Sequence, residues 1–229
     1  MSSTSNKTYI IRTTPGTGYI AKTKLPEYVL KDYNVMKLIS KEMPPRKATI
    51  FTNKKTGKKV MVPRRQIVIL MQDNTNYKFM GSGTPTLFKN ADPSLYFVTE
   101  KLAEYVTSHM HDTLKLNLDR SYVKEGTVVV NLYEDGNDSI SYHADDEKTI
   151  DKHAPIYTVS FGCTRKFYVR HNTQKTGSRY KRWDFLLKNR DVIAMVDIQT
   201  YTKHCIPKEL NKGPRISFTF RLSKKPLKK

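Results

Sequence analysis

The second half of the chain is a series of short segments that are rich in β-branched and aromatic residues and separated by turn residues. Five of them read TVVVNLY, PIYTVSFG, KFYVRH, DVIAMV and RISFTFR. Segments of this length and composition are typical of strands, and several of them in a row are typical of a sandwich or barrel. We therefore expect a β-rich core over residues 126–222.

The first half of the chain carries helical patterns. The sequence DPSLYFVTEKLAEYVTSHM offers Asp92 as an N-cap, Pro93 at the first helical position and an apolar stripe from Leu95 onwards. The sequence LPEYVLKDYNVMKLISKEM, after Pro26, also has apolar residues near helical spacing. Between these two segments, TNKKTGKKVMVPRR predicts a basic hairpin. The fold class is therefore α+β, with the helices before the β-core.

The last predicted strand places two arginines on one face. Side chains alternate along a strand, so the three apolar residues of RISFTFR share a face, and Arg215, Ser217, Thr219 and Arg221 share the other. An ordinary half-exposed strand is one interpretation of this pattern. In the other, the polar face lines a barrel interior, where buried guanidinium groups need anionic partners. A dicarboxylate ligand would satisfy both arginines.

The segment NLYEDGNDSISYHADDE gathers carboxylates beside one histidine. A solvated acidic loop is one interpretation. The other is a cation site, because His143 and Asp145 are two residues apart and point the same way in an extended segment. A second histidine from a distant strand would complete the two-histidine, one-carboxylate triad of non-haem Fe(II) oxygenases.

Five other histidines could provide the third ligand. They are His109 and His111 at the end of the predicted helix, where a surface cap is expected, His153 and His171 in polar, turn-like surroundings, and His204 in TYTKHCIPK. His204 follows a predicted strand and precedes the arginine strand. By elimination it is the best candidate for the third ligand.

The charge of the chain points to a polyanionic partner. The sequence has 41 Lys and Arg against 21 Asp and Glu, a net charge of +20 and a pI near 9.8. This balance is typical of nucleic-acid binders, although a basic soluble protein or an anionic-membrane binder would share it. The basic runs Lys54–Arg65 and Arg165–Arg182 are candidates for phosphate contacts, or else solvated faces.

Neither a transmembrane helix nor a signal peptide is predicted from the sequence. Its two cysteines, Cys163 and Cys205, do not form a disulfide scaffold. We therefore expect an intracellular protein without membrane contact, and a monomer.

Taken in order, NLYEDGNDSISYHADDE, DVIAM, YTKHCIPK and PRISFTFR resemble the AlkB family of Fe(II)- and 2-oxoglutarate-dependent dioxygenases, which demethylate alkylated nucleic-acid bases. PRRQ and YKFMGSG resemble the family's segment before and within its nucleotide-recognition lid. The resemblance implies a double-stranded β-helix (jelly-roll) core with N-terminal helices and that lid. It divides the chain into an N-terminal extension (1–60), lid and supporting helix (61–125), catalytic core (126–222) and basic tail (223–229).

The resemblance also implies roles for individual residues. The implied Fe(II) ligands are His143, Asp145 and His204; the implied 2-oxoglutarate contacts are Asn131, Tyr133, Arg215, Ser217 and Arg221; and the implied base contacts are Tyr77, Phe79, Glu147 and Arg64. No catalytic residue beyond the metal ligands is expected. Two positions depart from the family: Ser217 stands where an asparagine is usual, and Arg190 stands where glycine is frequent.

The implied activity is oxidative demethylation of N-alkylated bases in DNA or RNA, with Fe(II), 2-oxoglutarate and O₂ consumed and formaldehyde, succinate and CO₂ released. One alternative is an oxygenase that acts on a protein side chain. Another is a non-catalytic nucleic-acid-binding module on the same fold. The net charge and the lid-like aromatic residues disfavour the first alternative, and the complete ligand set disfavours the second.

Overall fold

The computed structural model describes residues 8–13, 17–46, 50–52, 56–71, 86–88, 93–116, 121–147, 149–172 and 182–224. The helices are α1 (Val35–Glu42), α2 (Pro93–Leu114) and α3 (Tyr122–Glu125). The strands are β1 (Tyr9–Arg12), β2 (Tyr19–Lys24), β3 (Ile50–Thr52), β4 (Lys59–Met61), β5 (Arg65–Leu70), β6 (Thr86–Phe88), β7 (Gly126–Tyr133), β8 (Ile140–His143), β9 (Ile156–Gly162), β10 (Arg165–His171), β11 (Arg182–Leu187), β12 (Asp191–Val196), β13 (Thr202–Ile206) and β14 (Arg215–Leu222). Among the helices of these ranges, none has the length and apolarity to cross a membrane.

The strands form two facing sheets and one separate hairpin. The major sheet has the order β1-β2-β12-β9-β14-β7-β5-β6, and the minor sheet has the order β11-β10-β13-β8. Their pairs are antiparallel except for β5 with β6. β3 and β4 pair only with each other among the described strands, as the predicted basic hairpin. This arrangement is the predicted α+β jelly roll, and the five segments predicted as strands are β7, β9, β10, β12 and β14.

Two apolar layers cover the two faces of the major sheet. On the outer face, Val98 and Leu102 of α2 pack in one buried cluster with Ile216, Phe218 and Phe220 of β14. On the inner face, a second cluster joins the two sheets. Burial of each large apolar side chain contributes about 1.5–3 kcal/mol. The helices therefore fix β14 from one side and leave its polar face free to line the space between the sheets.

Part of the predicted N-terminal extension belongs to the major sheet. β2 pairs with β12 along six residues, and β1 pairs with β2. Two lysines of β2, Lys22 and Lys24, bind the buried Asp191 at 2.8 and 3.1 Å. The segment YIAKTK looks basic and polar in the sequence, and nothing nearby shows that its lysines have a buried partner. That partner, Asp191, lies 169 residues after Lys22 and 167 residues after Lys24. The predicted boundary at residue 60 does not separate this segment from the core.

Helix α1 is shorter than the sequence predicts. The pattern suggests a helix soon after Pro26, but residues 27–32 form turns and the helix begins at Val35. Leu30 adopts a left-handed conformation (φ 59°), which a helix cannot continue through. The side chain of Asn34 accepts a hydrogen bond from the amide of Lys37 at 3.0 Å and caps the helix instead.

Arg190 shows how one departure from the family pattern is accommodated. It takes the left-handed conformation (φ 64°) that glycine adopts without strain, in the turn between β11 and β12. Its guanidinium group donates hydrogen bonds to the carbonyl oxygens of Pro26 and of Val29, the latter at 2.7 Å. The arginine therefore anchors the turns that precede α1.

The structure corrects the placement of His111. The sequence suggested a surface cap, but the side chain is only 7% exposed, with ring centroids 5.9 and 6.0 Å from those of Tyr122 and Tyr157. The side chain of His109 lies outside the described residues. Burial lowers the pKa of His111, and its Nε2 atom has no hydrogen-bond partner in the described part of the chain. The ring is therefore held in its neutral form.

Because the pKa of His111 is lower in the folded than in the unfolded protein, folding stability should fall as the pH drops below about 6.5, the unfolded value. We expect the melting temperature of the protein to fall more between pH 7.5 and 5.5 than that of His111→Phe, which has nothing to protonate at this position. Differential scanning calorimetry of both proteins at the two pH values measures this. Equal falls would show that His111 is not held neutral by the fold.

Candidate metal centre and cosubstrate cavity

A cavity between the two sheets is lined by side chains from both. Residues that lie directly opposite on paired strands point to the same face. Three such rows of the major sheet face the cavity: Gln66, Asn131 and Ser217 on β5, β7 and β14; Tyr133 and Arg215 on β7 and β14; and Val129, Thr219 and Thr158 on β7, β14 and β9. The polar face predicted for β14 therefore lines an interior and is not a solvent-exposed strand.

His143, Asp145 and His204 meet at the side of the cavity formed by the minor sheet. His143 and His204 are opposite each other on β8 and β13, and their ring centroids are 4.2 Å apart. Asp145 follows β8, with its carboxylate oxygens 3.9 Å from His143 Nε2 and 3.6 Å from His204 Nε2. One candidate ligand atom from each residue lies within 4.8 Å of the others. These are the residues that the sequence suggested, brought together from two strands.

The electrostatics of the triad suit a divalent cation. Burial lowers the pKa of His204 to about 3, assisted by the neighbouring His143, and burial also lowers the pKa of His143. Burial alone would raise the pKa of Asp145, but Arg221 and the two histidines lower it. Neutral imidazoles and an ionised carboxylate are the protonation states that bind metals. Within the described ranges, the Oδ2 atom of Asp145 is buried without a hydrogen-bond partner, as expected of an atom whose partner is a cation.

Arg221 connects the triad to Glu147. Its guanidinium group donates a hydrogen bond to the Asp145 carboxylate and a second one, of 3.1 Å, to Glu147. Burial raises the pKa of Glu147 despite this contact. Glu147, predicted to lie near the substrate base, is thus placed at the edge of the metal centre.

Arg215 lies at the other end of the cavity. It is 1% exposed, and its Nη2 atom donates to Ser160 Oγ at 2.9 Å, whereas Nε and Nη1 have no hydrogen-bond partner among the residues that the structure describes. Burial lowers its pKa. A buried guanidinium group with two unsatisfied donors fits a carboxylate that would enter the cavity. The donor set and the triad thus fit a cosubstrate with carboxylates at both ends, one at the metal and one at Arg215.

Arg64 was predicted to contact the base, and the structure places it beside a predicted cosubstrate contact. Its side chain is 8% exposed and its Nε atom donates to Asn131 Oδ1 at 2.7 Å. Gln66 Nε2 donates to the same oxygen at 3.0 Å. Gln66 was not predicted as a site residue, although it lies two residues after Arg64 and directly opposite Asn131 on the neighbouring strand.

Other sequence-based expectations have mixed outcomes. Tyr77 and Phe79, the predicted lid aromatics, lie outside the described residues. Arg165, predicted to hold phosphate, is fully buried and donates to the carbonyl oxygens of Asp135, Asp138 and Pro207, so it cannot reach a phosphate.

The two remaining histidines lie away from the triad. His153 is exposed and lies in a bend, which agrees with the polar, turn-like surroundings predicted for it. His171 is not in a turn: it ends β10, is 8% exposed and stacks on Tyr201 with a centroid distance of 5.6 Å.

Comparison with known proteins agrees with this site. The family described as the 2OG-Fe(II) oxygenase superfamily matches residues 53–221. Human "DNA oxidative demethylase ALKBH2" is 34% identical over 99 residues, which is 41% of this chain and 38% of the relative. Human "Alpha-ketoglutarate-dependent dioxygenase alkB homolog 3" is 29% identical over 123 residues, which is 49% of this chain and 43% of the relative. The matches therefore span about two fifths of the length of these curated relatives.

A solved structure extends the likeness to most of the fold. The chain titled "The structure of OsALKBH1" superposes with a TM-score of 0.53 and 14% identity, over 93% of this chain and 100% of that chain. At this identity the likeness concerns the fold alone. Together with the ordered motifs, the family match and the geometry of the triad, it confirms the predicted AlkB resemblance. The residues of the triad and of the cavity fit Fe(II) and 2-oxoglutarate. The chain belongs to the 2OG-Fe(II) oxygenase superfamily.

Proposed function

We propose that the protein removes alkyl groups from the nitrogen atoms of bases in DNA or RNA, as a nucleic-acid repair enzyme. The observation that carries this proposal is the similarity to a DNA oxidative demethylase, ALKBH2, together with a superfamily match whose residues 53–221 include the triad. The net charge of +20 supports a polyanionic substrate. Bound Fe(II), with 2-oxoglutarate and O₂, would supply the oxidation that releases the alkyl group as an aldehyde, together with succinate and CO₂.

The residues of the chain have separate tasks in this proposal. His143, Asp145 and His204 hold the metal on one side and leave its other side open to the cavity. Arg215 and Tyr133 bind the distal carboxylate of 2-oxoglutarate, and their row on the sheet fixes its direction.

Arg221 has a different task, because it already bonds the metal ligand Asp145. It orients that carboxylate and adds positive charge where the cosubstrate's other carboxylate meets the metal. Asn131 and Ser217 line the cavity between its two ends.

The substrate base would enter at the exposed side of the triad. His143 is half-buried whereas Asp145 and His204 are buried, so the open side of the metal centre is the His143 side. Glu147, which accepts a hydrogen bond from Arg221, is proposed to lie beside the base at this entrance. Tyr77 and Phe79 are proposed to stack on a base taken out of the helix, a contact worth about 1–3 kcal/mol per base.

Turnover on defined substrates tests the proposal. The metal-free protein is first titrated anaerobically with Fe(II) and 2-oxoglutarate, and succinate formation is then measured with oligonucleotides that carry 1-methyladenine or 3-methylcytosine. Succinate that depends on the methylated base supports the proposal. Succinate that depends on peptides and not on oligonucleotides would identify a protein oxygenase instead. Oligonucleotide binding without succinate would identify a non-catalytic module.

The basic hairpin gives a prediction on binding. Lys58 and Lys59 are exposed on the β3–β4 hairpin, five to seven residues before Arg64 and Arg65. Each phosphate contact contributes about 0.7–0.9 to the slope of log K against log salt concentration, because condensed counterions are released. Replacing both lysines with alanine should therefore reduce this slope by up to about 1.4–1.8 for an unmodified oligonucleotide.

Fluorescence anisotropy at several salt concentrations measures the slope, and uncoupled 2-oxoglutarate consumption should stay unchanged. A matched control replaces Lys101 and Lys124, which lie on α2 and α3 behind the major sheet. An unchanged slope in the Lys58/Lys59 variant, or an equal loss in the control, would place the phosphate-binding face elsewhere.

A further inference from the structure

We propose that Arg64 and Gln66 are positioning residues, which hold the side-chain amide of Asn131 so that its NH₂ group faces the cosubstrate. The inference rests on the proposed function to the extent that it takes Asn131 as a 2-oxoglutarate contact. It assigns to Arg64 and Gln66 a role that neither the net charge nor the base-binding prediction suggested.

The chemistry of arginine settles which atom of Asn131 is which. A guanidinium group only donates hydrogen bonds, so the Asn131 atom 2.7 Å from Arg64 Nε is the amide oxygen. The Gln66 atom 3.0 Å from the same oxygen must then be the Gln66 NH₂ group. An amide oxygen has two acceptor sites, and both are occupied by these two donors. Asn131 therefore has only its NH₂ donors left to offer to other partners.

The sheet directs that NH₂ group into the cavity. Asn131 lies between Gln66 on β5 and Ser217 on β14, directly opposite both. Its oxygen faces the β5 side, where Arg64 and Gln66 are. All three members of the row line the cavity, as does Arg215 two residues before Ser217. A donor that faces the cavity suits a ligand that carries carboxylates, whereas the amide oxygen in its place would repel one.

Burial makes the arrangement rigid. Arg64, Gln66 and Asn131 are 8%, 4% and 7% exposed, so no bulk water competes for the amide oxygen. Turning the Asn131 amide over would place its NH₂ group against two donors. In a buried position this costs the hydrogen bonds and leaves polar groups unsatisfied. The two donors therefore act on the cosubstrate through Asn131 without a contact of their own.

Gln66→Glu tests the proposal with the smallest change of shape. A carboxylate at this position accepts from the Asn131 NH₂ group instead of donating to its oxygen, and this favours the turned-over amide. We expect 2-oxoglutarate affinity to fall by about ten- to a hundredfold, as for loss of a hydrogen bond to a charged group. The affinity is measured by calorimetry on the Mn(II)-loaded protein without oxygen, and Mn(II) affinity should change less than threefold.

Two further variants separate positioning from folding. Gln66→Met has a similar length and neither donates nor accepts strongly, so it should lose less affinity than Gln66→Glu. Gln199→Glu makes the same chemical change at a site that is 3% exposed and bonded to the carbonyl oxygen of Ala154, away from the cavity. It should lower the melting temperature without altering 2-oxoglutarate affinity.

Steady-state kinetics give a second readout. In Gln66→Glu the KM for 2-oxoglutarate should rise in step with the Kd, whereas kcat at saturating 2-oxoglutarate should change less than threefold. Unchanged 2-oxoglutarate affinity in Gln66→Glu, or an equal loss in Gln199→Glu, would overturn the proposal. Because calorimetry needs no nucleic acid, failure of base demethylation would leave this test intact and would count only against the proposed substrate.

Discussion

Replacing His204 with alanine should abolish succinate formation and weaken Fe(II) binding by more than about a hundredfold. Removing only a hydrogen-bond partner of a metal ligand can already lower metal affinity by about a hundredfold, so removing a ligand should cost more. Three protein ligands hold the facial geometry, and His204 is one of the two imidazoles that face Asp145. The burial that lowers its pKa to about 3 also keeps it neutral and ready to bind a metal at physiological pH.

His153→Ala is the matched control, because His153 is exposed and its ring lies 3.9 Å from Asp197, away from the triad. It should leave Fe(II) affinity and turnover unchanged. Fe(II) affinity is measured by anaerobic titration and turnover by succinate formation. Normal turnover in His204→Ala would exclude His204 as a ligand.

Arg215→Met should abolish detectable 2-oxoglutarate binding without destabilising the cosubstrate-free protein. The two unsatisfied donors of Arg215 would form two charge-assisted hydrogen bonds with the cosubstrate, each worth about 1.5–3 kcal/mol, so affinity should fall more than a hundredfold. In the free protein the same guanidinium group is a buried charge with incomplete pairing. Replacing it with an apolar side chain of similar length should be neutral or stabilising.

Arg165→Met provides the contrast. Arg165 is as deeply buried as Arg215, but it donates to three carbonyl oxygens and lies 3.4 Å from Glu209. Its removal takes the donor from three carbonyl oxygens and the cation from the partly buried Glu209 carboxylate, and should cost about 3–5 kcal/mol of folding free energy. Urea unfolding and calorimetry of both variants measure the difference. If Arg215→Met is destabilised as much as Arg165→Met, Arg215 has a structural role and the cosubstrate argument fails.

The parts of the fold that could be predicted are those in which local pattern and tertiary environment agree. β12 is recognisable as a strand because it has apolar residues on both of its buried faces. β14 is recognisable because its apolar and polar residues alternate. β2 could not be identified from its pattern, because its lysines are paired with Asp191 from the other half of the chain. The helix before residue 42 was predicted too long, because apolar spacing does not report the left-handed turn at Leu30.

The candidate site shows the same division. The alternation of side chains along a strand was enough to predict that Asn131 and Tyr133 share one face of a strand, and that Arg215 and Arg221 share one face of another. The pairing of His204 with His143 is a contact between strands 61 residues apart, which only elimination and family resemblance could suggest. The burial of Arg165 and the link between Arg64 and Asn131 had no local signal, because a basic run reads the same whether its arginines face solvent or carbonyl oxygens.

The most direct test of the account is mass spectrometry of an oligonucleotide that carries one 1-methyladenine, incubated with the protein, Fe(II), 2-oxoglutarate and O₂, with formaldehyde and succinate measured in the same reaction. The account predicts that the oligonucleotide loses the mass of one CH₂ unit, that formaldehyde and succinate form in equal amounts to that loss, and that His204→Ala does neither. An unchanged oligonucleotide mass, with succinate formed at the same rate on the unmethylated control, would contradict it.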